Sequence, residues 1–191
     1  EPKYFKKIAG RLKSINYTYK KIDGLNDKCK QLVPAGNGIL VSTSKGLFII
    51  TRHKARAIVD NRYINYISSK AKDNKYYVAT TYGYFYVTPG IDNRWVAVYP
   101  DKTFSHSINS IVSTDENTVW AGSDEIAYRI SIDSGLPSGS PKAYIIKSDL
   151  PQRYLMEFIN DTVFLFTLSR ISYYNPDLDS FIEYKKGIID D

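Results

Sequence analysis

Two stretches of the chain match each other without a gap: ILVSTSKGLFIIT at residues 39–51 and YYVATTYGYFYVT at residues 76–88. Each has an apolar or aromatic run, a four-residue polar turn that ends in glycine, and a second such run. That pattern is typical of a β-hairpin. VWAGSDEIAYRI at residues 119–130 and FLFTLSRISYY at residues 164–174 continue the series. The chain therefore contains four related hairpins.

The spacing of the hairpins predicts the architecture. When Thr43, Thr80, Gly122 and Thr167 are taken as equivalent points, the hairpins lie 37, 42 and 45 residues apart. Solenoid repeats of similar length are built from helices. A period of this length made only of strands therefore indicates the blades of a β-propeller.

Each period also holds two further strands. A short segment with apolar residues three apart precedes each hairpin, and another apolar run follows it at residues 57–59, 95–99, 143–146 and 181–184. The first kind predicts inner strands and the second kind outer strands. The predicted inward residues are Cys29 and Leu32, Ile64 and Ile67, Ile108 and Ile111, and Leu155 and Phe158. We therefore predict an all-β fold of four-stranded antiparallel blades.

One domain over residues 1–191 accounts for the whole pattern. A partial blade at residues 1–23, with strands at 4–15 and 17–22, precedes blades at about 24–60, 61–100, 101–147 and 148–187. Four-bladed rings lie within the usual range, although larger rings are commoner. Two alternatives stay open: these strands close a small ring, or they form part of a larger one.

Composition suits a single β domain with one core. The chain has 191 residues, 43% of them hydrophobic, with 17 tyrosines and 8 phenylalanines, so metal or disulfide staples are not needed. No stretch approaches the roughly 20 apolar residues of a transmembrane helix, and if the protein is exported we expect its leader to have been removed. We expect Cys29, the one cysteine, to be a buried core residue. His53 and His106 are too few to predict a metal site.

The positive charge is concentrated at the start. The net charge is +6, and residues 1–30 carry all of it, with nine basic and three acidic side chains. A basic arm for nucleic acid or an anionic membrane is one interpretation. The other is a solvated strand pair whose lysines protect a sheet edge. We favour the second and expect no nucleic-acid partner, because no reading motif accompanies the charge.

Catalytic motifs do not emerge from the sequence. It contains no Gly-x-Ser-x-Gly elbow, no phosphate loop and no His-Glu-x-x-His, and its carboxylates are scattered through turns. We therefore expect a protein without cofactor that is not an enzyme.

The blade pattern resembles a known repeat. Ile108-Asn109-Ser110-Ile111, an acidic turn at residues 115–117 and Val119-Trp120-Ala121-Gly122 resemble the two-component regulator propeller repeat, and residues 64–67 with 77–84 are similar to it again. The resemblance spans residues 17–187. Glu125 and Arg170 depart from it, because they replace the glycine that opens the third strand at Gly46 and Gly83.

This resemblance implies a sensor. Such repeats form extracytoplasmic parts of membrane-bound histidine kinases, including hybrid two-component systems that detect breakdown products of polysaccharides. Two seven-bladed propellers and a β-sandwich precede the membrane span in that family. The chain would then be a periplasmic or extracytoplasmic fragment of one propeller in an inner-membrane receptor, with the other domains, or a second copy in a homodimer, as its partners.

The geometry of a propeller places the outer-to-inner loops and the hairpin turns on one face. On that face we select Arg62, Tyr63, Tyr82, His106 and Arg153 as candidates for binding an oligosaccharide. The alternative is that these tyrosines only cover blade edges. Two other functions stay open: a protein-interaction propeller, which would expose an apolar patch, and a glycan lyase or hydrolase, which would need a carboxylate pair or a His-Tyr cluster in the channel.

Overall fold

Strands make up almost all the regular structure in a computed structural model of the protein, which describes residues 2–8, 11–17, 20–69, 71, 74–100, 104–146 and 153–185. They are β1 (Pro2–Ile8), β2 (Arg11–Tyr17), β3 (Cys29–Ala35), β4 (Gly38–Thr43), β5 (Gly46–Thr51), β6 (Lys54–Asp60), β7 (Ile64–Ile67), β8 (Tyr76–Thr80), β9 (Tyr84–Pro89), β10 (Trp95–Val98), β11 (Ser110–Ser113), β12 (Thr118–Gly122), β13 (Ile126–Asp133), β14 (Leu136–Pro137), β15 (Lys142–Ile145), β16 (Leu155–Ile159), β17 (Thr162–Phe166), β18 (Ile171–Asn175) and β19 (Ser180–Glu183). A 3-10 turn, Ile91–Asn93, lies between β9 and β10.

Four sheets of antiparallel strands form four blades. The first blade is β3 to β6, the second β7 to β10, the third β11 to β13 with β15, and the fourth β16 to β19. The short strand β14 is an addition that pairs with the end of β13. Among the strands of the described residues, no sheet closes on itself. The predictions of an all-β fold and of four strands per blade are thus confirmed.

Neighbouring blades pack face to face through apolar side chains. Strand alternation gives each sheet one face for the preceding blade and one for the next. Leu40 of the first blade and Phe85 of the second belong to one buried cluster. Tyr77 of the second and Ile111 of the third belong to another. A third cluster, which includes Trp120, joins the third blade to the fourth.

Threonine closes three of the four hairpin turns. The hydroxyls of Thr43, Thr80 and Thr167 each donate to the carbonyl three residues later, at 3.1, 2.9 and 3.0 Å. In the third blade Ser123 takes this place, because its amide donates to Ile126 O at 2.8 Å just as the Thr80 amide donates to Gly83 O. Ser123, and not Gly122 as predicted, is therefore the residue equivalent to Thr80. The third strand of this blade begins at Ile126 and not at Glu125.

The inner strand of the fourth blade is also displaced by one residue. Tyr154 and Met156 are buried, whereas Leu155, a predicted inward residue, is 48% exposed and Phe158 is only partly buried. Residues three apart share a face only where a bulge adds a residue. β7 has such a register shift between Ile64 and Tyr66, but β16 pairs with β17 without one.

Cys29 is exposed, so the prediction of a buried thiol was wrong. Its place in the blade is as expected, since Cys29 pairs with Thr43 as Ile64 pairs with Thr80. Ile64 is buried against the first blade. Within the described ranges no blade stands in the corresponding position before Cys29, and Leu32 on the same strand is 60% exposed for the same reason.

The N-terminal strands differ from the prediction. Residues 4–15 do not form one strand: β1 and β2 are an antiparallel pair in which Ile8 lies opposite Arg11. Residues 20–22 lie in no strand, although 17–22 was predicted as one. The chain instead reaches the outer strand β6 at Asp23, which hydrogen-bonds the backbones of His53 and Ala55. Gly24 follows with φ of 82° against the Ala55 carbonyl, so the chain turns away after one bridge.

Candidate functional site

The inner strands of all four blades converge on one pocket of about 430 Å³, which we call the channel pocket. Its walls carry hydroxyl, amide and charged groups, together with two tyrosines. The lining residues are Lys30 from the first blade; Tyr63, Asn65, Tyr66 and Thr81 from the second; Ser107, Asn109 and Asp124 from the third; and Arg153 and Leu155 from the fourth.

Hydrogen bonds to the next blade hold two of these side chains in place. Lys30 Nζ donates to Ile64 O, and Asn65 Nδ2 donates to Ile108 O, both at 2.7 Å. Lys30 and Asn65 occupy equivalent positions in their strands, because each follows the residue that pairs with Thr43 or Thr80. Different residue types thus make the same contact between blades. The contact is repeated from the first blade to the second and from the second to the third.

Tyr66 connects two blades that are not neighbours. Its hydroxyl donates to Glu157 Oε1 at 2.7 Å, from the inner strand of the second blade to that of the fourth, across 91 residues of sequence. Burial, and then the bond to the Glu157 carboxylate, raise the pKa of Tyr66 well above the ordinary tyrosine value. Tyr66 therefore stays protonated and keeps its role as a donor at neutral pH.

Two of the five residues selected from the sequence line the channel pocket. Tyr63 is 45% exposed, and the Lys30 ammonium lies 3.9 Å from the centroid of its ring. Arg153 lines the same pocket from the fourth blade. A half-exposed aromatic ring beside cations and amides is an arrangement that binds polar ligands with a flat apolar face.

The other three selected residues lie elsewhere. The Arg62 guanidinium lies 4.9 Å from the ring centroid of Tyr99. Tyr82 is 76% exposed at its hairpin turn. His106 stacks on Tyr128, with ring centroids 5.6 Å apart, in a separate crevice between the second and third blades. The structure therefore does not bring these three to the channel pocket.

The crevice at His106 is larger, about 620 Å³, but its chemistry is different. Its described walls are mainly rings and prolines, with Phe104 packed edge-on against Tyr128 at 4.9 Å. Burial raises the pKa of Tyr128. The channel pocket offers more hydrogen-bonding groups, drawn from more blades, and we therefore take it as the candidate site.

Sequence reasoning missed Lys30, Asn65 and Tyr66 as members of the site. A signal for Asn65 was available, since it and Asn109 follow the first isoleucine of their inner-strand segments. Asn109 Nδ2 donates to Asp124 Oδ1 at 2.8 Å and so holds the carboxylate of the pocket. The asparagine that recurs in the blade pattern therefore also supplies polar groups to the wall of the pocket.

Two further findings concern the described residues alone. They contain no group of three or more His, Cys, Asp or Glu side chains that could hold a metal ion. Within the same ranges, no helix has the length and apolar character needed to cross a bilayer.

No family model and no curated protein match the chain. Solved structures do. Two crystal structures of an extracellular domain from Bacteroides thetaiotaomicron, described once as a proposed one component system and once as a proposed hybrid two component system, are 15% identical to it. Their TM-scores are 0.59 and 0.65, with 92% and 90% of this chain covered and 24% and 23% of theirs.

An auxiliary nutrient binding protein from the same bacterium is 8% identical, with a TM-score of 0.57 over 78% of this chain and 38% of its own. The chain thus spans about a quarter of the length of the first two relatives. At these identities the likeness concerns the fold. It supports the blade architecture that the sequence predicted.

Proposed function

We propose that the chain is part of an extracytoplasmic sensor and that the channel pocket binds an oligosaccharide. The observation that carries this proposal is the convergence of polar side chains from four blades around the half-exposed ring of Tyr63. Sugars present apolar ring faces and many hydroxyls, so they match an aromatic ring surrounded by amides and charged groups.

The sensing role has support from the structural relatives. Two of them are extracellular domains described as signalling systems, and a third is a nutrient binding protein. In this proposal the chain lies outside the cytoplasm and passes its signal to a histidine kinase elsewhere in the receptor. The ligand would be a breakdown product of a polysaccharide.

The fourth blade supports a larger ring. Its face away from the third blade carries Leu155, Ile159 and Ile171, which are 48%, 45% and 40% exposed. In the first three blades the corresponding face is covered by the next blade. We propose that a further blade of the same propeller, in a ring of seven, covers this face in the receptor.

Calorimetric titration of the protein with a panel of oligosaccharides tests the binding proposal. We expect Tyr63→Ala to weaken the best ligand by about tenfold, because loss of a stacked ring costs about 0.5–1.5 kcal/mol in addition to the buried area. Tyr82→Ala is the matched control, since that tyrosine lies outside the pocket, and should leave affinity unchanged. Equal losses in the two variants, or no oligosaccharide that binds, would contradict the proposal.

One observation favours the alternative of a protein-interaction module. Leu168 is 89% exposed at the fourth hairpin turn, and Ile145 is 71% exposed on the outer strand region of the third blade. This alternative predicts that Leu168→Ser abolishes capture of a protein partner while Tyr63→Ala does not. Crosslinking of both variants in the native cell envelope separates the two functions.

A further inference from the structure

We propose that the channel pocket selects an acidic oligosaccharide, with a carboxylate or sulfate group held between Lys30 and Arg153. This inference rests on the proposed function and adds the chemical class of the ligand. It follows from the charges of the pocket and from the way in which its two cations are held.

Positive charge is in excess in the channel pocket. Its charged lining residues are Lys30, Arg153 and Asp124. Among the residues that the structure describes, neither cation forms an ion pair with a carboxylate. The Asp124 carboxylate is held by the Asn109 amide, which donates to one of its oxygens. The other nearby carboxylate, Glu157, accepts the Tyr66 hydroxyl. Both carboxylates keep their charge in these bonds, but the lining itself carries two cations against one carboxylate, and neither cation is paired directly with a carboxylate among the described residues.

The ammonium of Lys30 is fixed in place with donors to spare. One contact is to Ile64 O at 2.7 Å and another is to the face of the Tyr63 ring. An ammonium has three N–H donors and the carbonyl uses one of them. A cation held in this way loses little side-chain freedom when it binds an anion, so less of the attraction is lost to ordering.

Arg153 combines a fixed backbone with a free head group. Its backbone forms a bridge with Asp124 at the third hairpin turn, and the next residue, Tyr154, donates its amide to Ser123 O at 3.1 Å. Within the described part of the chain, the guanidinium forms no hydrogen bond. Its planar fork is therefore available for a bidentate contact to a carboxylate or sulfate.

Tyr63 lies beside Lys30, so a single sugar unit can use both. Because the Lys30 ammonium lies over one face of the Tyr63 ring, the sugar would contact the rest of that ring while its acidic group contacts the ammonium. A neutral sugar of the same shape keeps the stacking contact and loses the ionic one. Charge-assisted bonds are about twice as strong as neutral ones, which predicts a preference of about tenfold or more for the acidic ligand.

The test compares matched trisaccharides by calorimetric titration. The probes are trigalacturonate, its neutral galactose counterpart and a sulfated galactose trisaccharide. We expect both acidic probes to bind about tenfold or more tightly than the neutral one, and added sodium chloride to reduce that advantage. A carboxylate and a sulfate are distinguished by which of the two acidic probes binds more tightly.

Two variants assign the effect to the pocket. Lys30→Met and Arg153→Gln should each reduce the advantage of the acidic probe without changing affinity for the neutral one. Arg94→Gln, an exposed arginine outside the pocket, is the matched control and should change neither. If Lys30→Met fails to fold in thermal melts, Arg153→Gln alone decides.

The outcomes separate this inference from the proposed function. Equal affinity for the neutral and acidic trisaccharides, or an acidic preference that both variants retain, overturns the inference and leaves an oligosaccharide site in place. If none of the trisaccharides binds and no other oligosaccharide of the panel does, both proposals are overturned.

Discussion

The interface between the third and fourth blades holds together by different means on its channel side and on its outer side. On the channel side, Ser110 Oγ donates to Tyr154 O at 3.0 Å and accepts the Met156 amide at 2.7 Å. On the outer side, Trp120 packs against the rings of Tyr174 and Tyr144 at 4.6 and 5.4 Å. One half depends on backbone groups and the other on the shapes of particular side chains.

The two sides of the interface tolerate sequence change to different degrees. A bond to a backbone carbonyl can be made by many residue types, as Lys30 and Asn65 show in equivalent positions. An aromatic cluster tolerates fewer changes because its volume must be filled. Side chains on the channel side can therefore be recruited for binding at little cost to blade packing, while the outer side maintains the blade contacts.

The largest effect should come from the outer side. Trp120 is 2% exposed, so Trp120→Ala leaves a cavity in the cluster and should lower the free energy of unfolding by about 3–5 kcal/mol. Trp95→Ala, at a partly buried position in the second blade, is the matched control and should cost clearly less. Urea denaturation measures both. Equal losses in the two variants would contradict the claim that the outer cluster contributes more to the free energy of unfolding than other aromatic positions do.

A smaller effect is expected on the channel side. Ser110 is 1% exposed, and Ser110→Ala leaves the Tyr154 carbonyl and the Met156 amide without their partner. We expect a loss of about 1–3 kcal/mol in the same denaturation experiment. Ser113→Ala, whose hydroxyl bonds at an exposed site, should stay within about 0.5 kcal/mol of the parent protein. A negligible loss for Ser110→Ala would show that the hydrogen bonds of Ser110 do not stabilise the channel side of the interface.

The smallest effect concerns the bond that spans the channel. Tyr66→Phe removes the donor to Glu157 and should cost about 0.5–1.5 kcal/mol at neutral pH. The folded state raises the pKa of Tyr66, so its contribution is present below the ordinary tyrosine pKa of about 10 and is lost as the pH rises above it.

Urea midpoints between about pH 8 and pH 11 measure this dependence. The stability of the parent protein should fall more steeply above pH 10 than that of the Tyr66→Phe variant, because the variant has one fewer perturbed tyrosine. Parallel curves would show that the Tyr66 hydroxyl contributes nothing to the connection between the second and fourth blades.

The sequence predicted the blades because the hairpin is a local unit. Its strands and turn lie within one short stretch of sequence. The hydroxyls of Thr43 and Thr80 close the turn by donating to the carbonyl only three residues later. Register was harder to predict. Leu155 and Phe158 were assigned to the core because apolar residues recur three apart in every inner-strand segment. A bulge in β7 shifts the alternation, and the sequence does not reveal that β16 lacks the bulge.

The candidate site was only partly predictable for a similar reason. Tyr63 and Arg153 could be selected because the loop face of a propeller follows from its topology. Tyr66 and Glu157 could not, because their contact joins blades that are separated by a third one. Such a pairing depends on how far each blade is rotated from the next, and no local pattern in the chain encodes that angle.

The exposed thiol of Cys29 gives the protein a built-in attachment point. It is the single cysteine of the chain, and Lys30 of the channel pocket is the next residue. A fluorophore or spin label coupled there needs no engineered substitution and no removal of competing thiols. Its signal would come from the edge of the pocket, so ligand occupancy can be followed optically or by resonance in the unaltered sequence.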